Sequence, residues 1–314
     1  MFRDAFKCFT VDFDAPNGRD VFTCGDVISG RIIFDLSKEV RVTKISMTAN
    51  GKARVAWTAD RRKNRTHYSA KEDYFNTTCD IMEQKVAIGA GKILLRGGTH
   101  VYPFRFQLPH GNFPSAFQGV KGRVMYTLVV EIHRPWHFAK EFRTELNFVS
   151  HIDANHPQLL APLSASKSKE LYCFCCASGP LSMDVRLERK GYVPGEMIQI
   201  IAEFENYSSW TIVPKATLVQ AQNFYTTNRS ERRHVPKELV KVKGRHLMPN
   251  STGVWGDQML QIPANTPLTI SNCQILEVDY YLQVGLKIPY GTKLEVIIPL
   301  VICSIPVDRP PAVF

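Results

Sequence analysis

Apolar and polar residues alternate with period two along most of the chain, and two stretches repeat that alternation behind the same punctuation. Phe22-Thr23-Cys24-Gly25-Asp26 leads into a run in which Ile28, Gly30, Ile32 and Phe34 share one face. Tyr192-Val193-Pro194-Gly195-Glu196 leads into a second run with Ile198, Ile200, Ala202 and Phe204 in the same slots, 170 positions on. Successive strand side chains leave opposite faces, so each run reads as a half-buried strand fed by a tight Gly-acidic turn.

The repeat continues downstream. Gln107-Leu108-Pro109 recurs as Gln261-Ile262-Pro263, and Val124, Tyr126, Leu128, Val130 and Ile132 match Val278, Tyr280, Leu282, Val284 and Leu286. The offset has fallen to 154 positions, so the second copy is about 16 residues shorter between these landmarks. Each copy is too long for a solenoid unit, and two homologous all-β domains are the economical reading.

Strands are predicted at Cys8 to Phe13, Val27 to Phe34, Val42 to Ala49, Lys52 to Thr58, Gly98 to Gln107, Val124 to Ile132 and Lys140 to Phe148 in the first copy. In the second they fall at Leu181 to Arg189, Met197 to Glu205, Pro214 to Phe224, Arg233 to Lys243, Val278 to Leu286 and Lys293 to Val301. Pro214 to Phe224 would also tolerate a helix turn. Two prolines make Leu108 to Pro114 a loop. The expected division is a first β-sandwich over 1–150, a connection over 151–170, a second β-sandwich over 171–306, and the frayed start of a tail at 307–314. The connection is inferred from Pro and Ser content between His151 and Glu170.

Composition narrows the function. A net charge of +10 favours anionic partners, but no nucleic-acid reader motif accompanies it. The beginning of the chain lacks a signal-peptide core, and no apolar run approaches a membrane span, so a cytosolic setting is expected. Eight cysteines are then reduced thiols. Cys173-Phe174-Cys175-Cys176 holds one Cys-x-x-Cys without the second ligand pair zinc would need. It reads as buried small residues, or else as an acylation site. No Gly-x-Ser-x-Gly, His-Glu-x-x-His or phosphate-binding glycine loop is present. A non-enzyme without a cofactor or metal is expected.

Two basic stretches occupy matching places in the copies. Trp57 to His67 contains Arg61, Arg62, Lys63 and Arg65, and Phe224 to His234 contains Arg229, Arg232 and Arg233. Each follows an apolar strand and is expected at a hairpin tip. Clustered guanidinium groups bind phosphate or carboxylate through forked, charge-assisted hydrogen bonds. If the domains stack in related orientations, both tips face one partner. The competing reading is a pair of solvated hairpins that keep the protein soluble. Lys237, Lys241, Lys243 and Arg245 are expected on one strand face, guarding a sheet edge.

Gly25-Asp26-Val27-Ile28-Ser29-Gly30, Tyr102 to Pro109, Ala161 to Ala165, Arg189 to Glu196, Val213 to Ala216 and Ile297 to Ile302, in this order over nearly the whole chain, resemble the alpha-arrestin family of arrestin-domain-containing proteins. The resemblance implies two arrestin-type β-sandwiches in tandem. It also implies an adaptor in protein transport, endocytosis and ubiquitination, cytoplasmic and peripheral at the plasma membrane and endosomes. Its partners would be cytoplasmic tails of receptors or transporters, anionic lipid, and a HECT-type ubiquitin ligase recruited by Pro-Pro-x-Tyr. The chain has no Pro-Pro-x-Tyr; where Arg309-Pro310-Pro311-Ala312 would need a Tyr it has Val313. The alternative implied is a redox-linked scaffold of the kind represented by thioredoxin-interacting protein, acting through Cys173, Cys175 or Cys176. The reactive cysteine of that relative aligns with Thr252, whose hydroxyl cannot replace a thiolate.

Overall fold

A computed structural model describes residues 5–14, 21–61, 64–82, 93–173, 176–288 and 293–308. The chain forms two compact units. One comprises Met1–Ser150 with Thr226–Arg229 and Asn272–Ile275, and the other the remainder from His151 onward.

The strands of the first unit are β1 (Phe6–Phe13), β2 (Val21–Phe22), β3 (Val27–Leu36), β4 (Val40–Val42), β5 (Lys44–Arg61), β6 (Asn64–Asp80), β7 (Ile93–Leu95), β8 (Gly98–Gln107), β9 (Phe117–Gln118), β10 (Gly122–His133) and β11 (Lys140–Phe148). They make a sheet β1-β3-β8, a sheet β2-β11-β10-β5-β6 with β9 beside β10, and a small pair β4-β7. On β3 the side chains of Ile28, Ile32, Phe34 and Leu36 are buried. Gly30 keeps the inward slot between Ile28 and Ile32 because a Cβ there would lie 2.2 Å from the Asp12 carbonyl oxygen of β1. Aromatic rings join the two main sheets: Phe9 of β1 stacks on Phe142 of β11 at 3.8 Å, and Phe6 meets the same ring edge-on at 5.7 Å.

The second unit has one helical turn, α1 (Pro157–Leu160), then β12 (Leu163–Cys173), β13 (Cys176–Leu187), β14 (Gly191–Tyr192), β15 (Met197–Asn206), β16 (Val213–Tyr225), β17 (Arg232–Lys243), β18 (Ser251–Gln261), β19 (Leu276–Lys287) and β20 (Lys293–Ile302). Its sheets are β12-β13-β15-β18 and β14-β20-β19-β16-β17. The strand order β2-β11-β10-β5-β6 of the first unit is therefore repeated as β14-β20-β19-β16-β17, including the short parallel pairings β2 with β11 and β14 with β20. The duplication read from the sequence is a duplication of topology.

The two repeated landmarks touch one another in each unit. Gly25 and Gly195 take positive φ, 79° and 87°, and the acidic residue that follows accepts a backbone N–H from three positions earlier. Leu108 N donates to Asp26 O at 2.8 Å, and Ile262 N donates to Glu196 O at 2.9 Å. The Gln-apolar-Pro phrase thus recurs because it closes the sheet against the Gly-acidic turn.

Several differences from the sequence reading have physical causes. Val42 to Ala49 and Lys52 to Thr58 belong to one strand, β5 (with β4 taking Val42), and the Gly51-Lys52 step is a register shift rather than a break. Strand β6 escapes the apolar pattern because it is an edge, with Lys71, Asp73, Asn76 and Thr78 exposed. The Ser-rich stretch read as connection contains β12, which pairs along its length with β13. Strand β18 also escapes the pattern; its glycines, Gly253 and Gly256, weaken a strand signal. Pro214 to Phe224 is strand, not helix.

Candidate functional site

Both basic stretches occupy hairpin tips at equivalent places. The β5–β6 hairpin is paired down to Arg61 and Asn64, and the β16–β17 hairpin down to Tyr225 and Arg232. Arg62 and Lys63 lie outside the described residues, as does the side chain of Arg61. Arg65 is exposed on β6, opposite Asp60.

The second tip is a turn in which Arg229 takes φ 55° and its N–H donates to Thr226 O at 2.8 Å. Arg229 and Arg233 are exposed. Arg232 is tied to its own sheet: its Nε and Nη2 donate to Asn223 Oδ1 at 3.1 and 2.6 Å, and its guanidinium lies 6.0 Å from the Tyr225 ring centroid. His234 Nδ1 is 2.8 Å from the same Asn223 oxygen, while Asn223 Nδ2 donates to Asp279 Oδ2 at 3.1 Å. Burial pushes the Asp279 carboxyl up, the nearby Glu277 adds to the rise, and Asn223, Arg232 and His234 oppose it. Tyr225 OH donates to Glu277 Oε2 at 2.7 Å. This polar base under the tip is not apparent from the sequence. Its members sit on three strands, and in the sequence the polar residues Gln220, Gln222 and Asn223 of β16, all buried, hint at it.

The cation stripe on β17 is not on one face. A register shift at Leu218/Val219 sets Lys237 opposite Gln220 but Lys241 opposite Thr217 and Lys243 opposite Lys215. Directly opposed residues share a face, so the bulge puts Lys237 on one side and Lys241 and Lys243 on the other. β17 is the last strand of its sheet, where lysines discourage pairing with another chain.

Cys175 lies outside the described residues, as do the side chains of Cys173 and Cys176. Cys303 is buried, and burial raises its thiol to about 11. Thr252 is exposed on β18, opposite Glu205. Among the described residues no cluster of His, Cys, Asp and Glu is arranged to hold a metal, and no helix is long and apolar enough to cross a membrane.

Comparison with known proteins gives this arrangement a lineage. Residues 9–155 match the family model for the arrestin (or S-antigen) N-terminal domain, and residues 177–307 match that for the C-terminal domain. The chain is 36% identical over 292 residues to arrestin domain-containing protein 4 of Mus musculus, covering 91% of this chain and 69% of that protein. It is 31% identical over 300 residues to thioredoxin-interacting protein of Homo sapiens, covering 95% of this chain and 74% of that protein. With both arrestin domains in tandem and these relatives along almost its whole length, the chain belongs to the alpha-arrestin family of arrestin-domain proteins.

Proposed function

We propose that this arrestin-like adaptor uses its two arginine-bearing hairpin tips to bind acidic or phosphorylated cytoplasmic segments of membrane cargo. It then hands that cargo to a ubiquitin ligase and the endocytic sorting machinery at the plasma membrane and endosomes. The observation that carries the reading is the equivalence of the tips: Arg61 to Arg65 on β5–β6 and Arg229 to Arg233 on β16–β17 end corresponding strands of a duplicated sheet. Positive charge at the same place in both copies fits anionic recognition, because exposed guanidinium groups fork onto phosphate and carboxylate oxygens.

The ligase step rests on family membership and requires a Pro-Pro-x-Tyr segment, a motif these 314 residues do not contain. The redox alternative through Cys173, Cys175 or Cys176 falls on side chains outside the described residues. The thioredoxin-type contact is disfavoured by the hydroxyl of Thr252 where a thiolate is needed.

Fluorescence anisotropy with a doubly phosphorylated acidic peptide tests the reading. Affinity should fall steeply as ionic strength rises from about 0.05 to about 0.2 M, since exposed charges are screened within about 10 Å at 0.1 M. Equal affinity for the phosphorylated peptide and its uncharged analogue would refute it.

A further inference from the structure

The β10–β11 hairpin ends in Arg134-Pro135-Trp136-His137-Phe138-Ala139 before Lys140 opens β11. Trp136 is 98% exposed and Phe138 96%, higher than any other large hydrophobic side chain among the described residues. Leaving two aromatic rings in water forgoes the burial that normally places them in a core. Trp136 also takes φ 62°, a left-handed backbone that a bulky side chain rarely adopts. Two local bonds hold the turn: His137 N donates to Arg134 O at 3.4 Å, and His137 Nδ1 lies 2.8 Å from Pro135 O. Folding of the first unit requires neither feature, since its core is filled by rings such as Tyr126 and Phe148, stacked at 4.1 Å. Strain and exposure at the same residue point to function rather than packing.

From this convex aromatic tip we infer a membrane-inserting loop: Trp136 and Phe138 enter the interface of an anionic lipid bilayer. The chemistry of the loop favours a bilayer over a protein groove. Arg134 to Lys140 contains two permanent cations and no carboxylate. Arg134 rests on the Phe6 ring at 5.6 Å and Lys140 on the Phe142 ring at 5.7 Å. Both charges are therefore held at the loop's base, at the level where headgroup phosphates meet rings sunk about 5–10 Å into the interface. Aromatic side chains between a polar and an apolar phase are stable in that layer without a shaped pocket.

This surface is separate from the first arginine tip. β10 pairs with β5 from Gly122 and Val55 to His133 and Lys44, so the aromatic loop and Arg61 lie at opposite ends of β5. That strand has 18 residues, which at about 3.3 Å each spans roughly 55 Å. A flexible cytoplasmic tail of roughly 17 extended residues bridges the distance.

The test is co-sedimentation of the full chain with phosphatidylcholine vesicles, with and without phosphatidylserine, together with tryptophan quenching by lipids carrying a spin label at interfacial depth. The unsubstituted chain should bind the phosphatidylserine vesicles and show quenching, and W136F should lose the quenching. W136S/F138S should lower the partition coefficient about tenfold or more while leaving the unfolding midpoint unchanged. Three results would overturn the inference: no vesicle binding by the unsubstituted chain, undiminished binding by W136S/F138S, or a solution dimer that W136S/F138S dissolves. Quenching is measured on the unsubstituted chain, so it discriminates even if the double variant folds poorly.

Discussion

Arg232 donates twice to Asn223, through Nε at 3.1 Å and Nη2 at 2.6 Å, and this pairing divides the arginines of the second tip into two kinds. Arg232, exposed like Arg229 and Arg233, is fixed to the sheet through Asn223. In anisotropy titrations, Arg229→Ala with Arg233→Ala is expected to weaken acidic-peptide binding about tenfold or more. Arg232→Ala should weaken it less but lower the unfolding free energy by about 1 kcal/mol, because two charge-assisted bonds to Asn223 Oδ1 are lost while His234 still reaches that oxygen.

The two Gly-acidic turns share one hydrogen bond but not one energy. Asp26 Oδ2 accepts Thr23 N at 2.8 Å; Glu196 accepts Val193 N at 3.0 Å and also pairs with Arg189, whose guanidinium sits 4.4 Å from the Tyr192 ring centroid. The Arg189 and Glu196 side chains are only 12% and 14% exposed. Urea denaturation should show Asp26→Ala costing about 1 kcal/mol and Glu196→Ala about 2–4 kcal/mol, the latter leaving a largely buried guanidinium unpaired. Equal losses would mean the ion pair contributes nothing.

Repeat-equivalent tyrosines close their units in the same way. Tyr126 OH donates to Pro114 O and Tyr280 OH to Pro267 O, each at 2.6 Å, and Gln220 Nε2 further donates to Tyr280 OH at 2.7 Å. In urea denaturation, Tyr126→Phe is expected to cost about 1–2 kcal/mol. Tyr280→Phe should cost more, since it strands the buried Gln220 amide as well.

Asp279 gives the second unit a pH dependence of definite sign. Its folded pKa is raised above the ordinary 3.8, so its contribution to stability is fully present below that value, where the group is protonated in both states. As pH rises through the elevated folded value, the unfolded chain ionises first and the contribution is lost. Asp279→Asn should flatten the corresponding fall in unfolding midpoint; an unchanged slope would show that burial does not perturb this carboxyl.

Much of the fold was legible because its signals are local. Period two on β3 and β15, the Gly-acidic turns, and the apolar faces of β10 and β19 are each written in about ten consecutive residues. What escaped depends on partners distant in sequence. β6 and β12 have few apolar residues to betray them, and are strands because β5 and β13 offer ladders to join. The bulge that separates Lys237 from Lys241 is a mismatch between two strands and cannot be read from one. The arginine clusters were visible, but the Asn223 and Asp279 base that fixes Arg232 was not, because it assembles three strands.

The adaptor account stands or falls on the tips. A pull-down with immobilised phosphorylated acidic peptide, comparing the intact chain with R61A/R62A/R229A/R232A/R233A, is its most direct measurement, with thermal unfolding confirming that the variant is folded. The account predicts retention of the intact chain and loss of the variant at moderate salt; retention of a folded variant at the same level would contradict it.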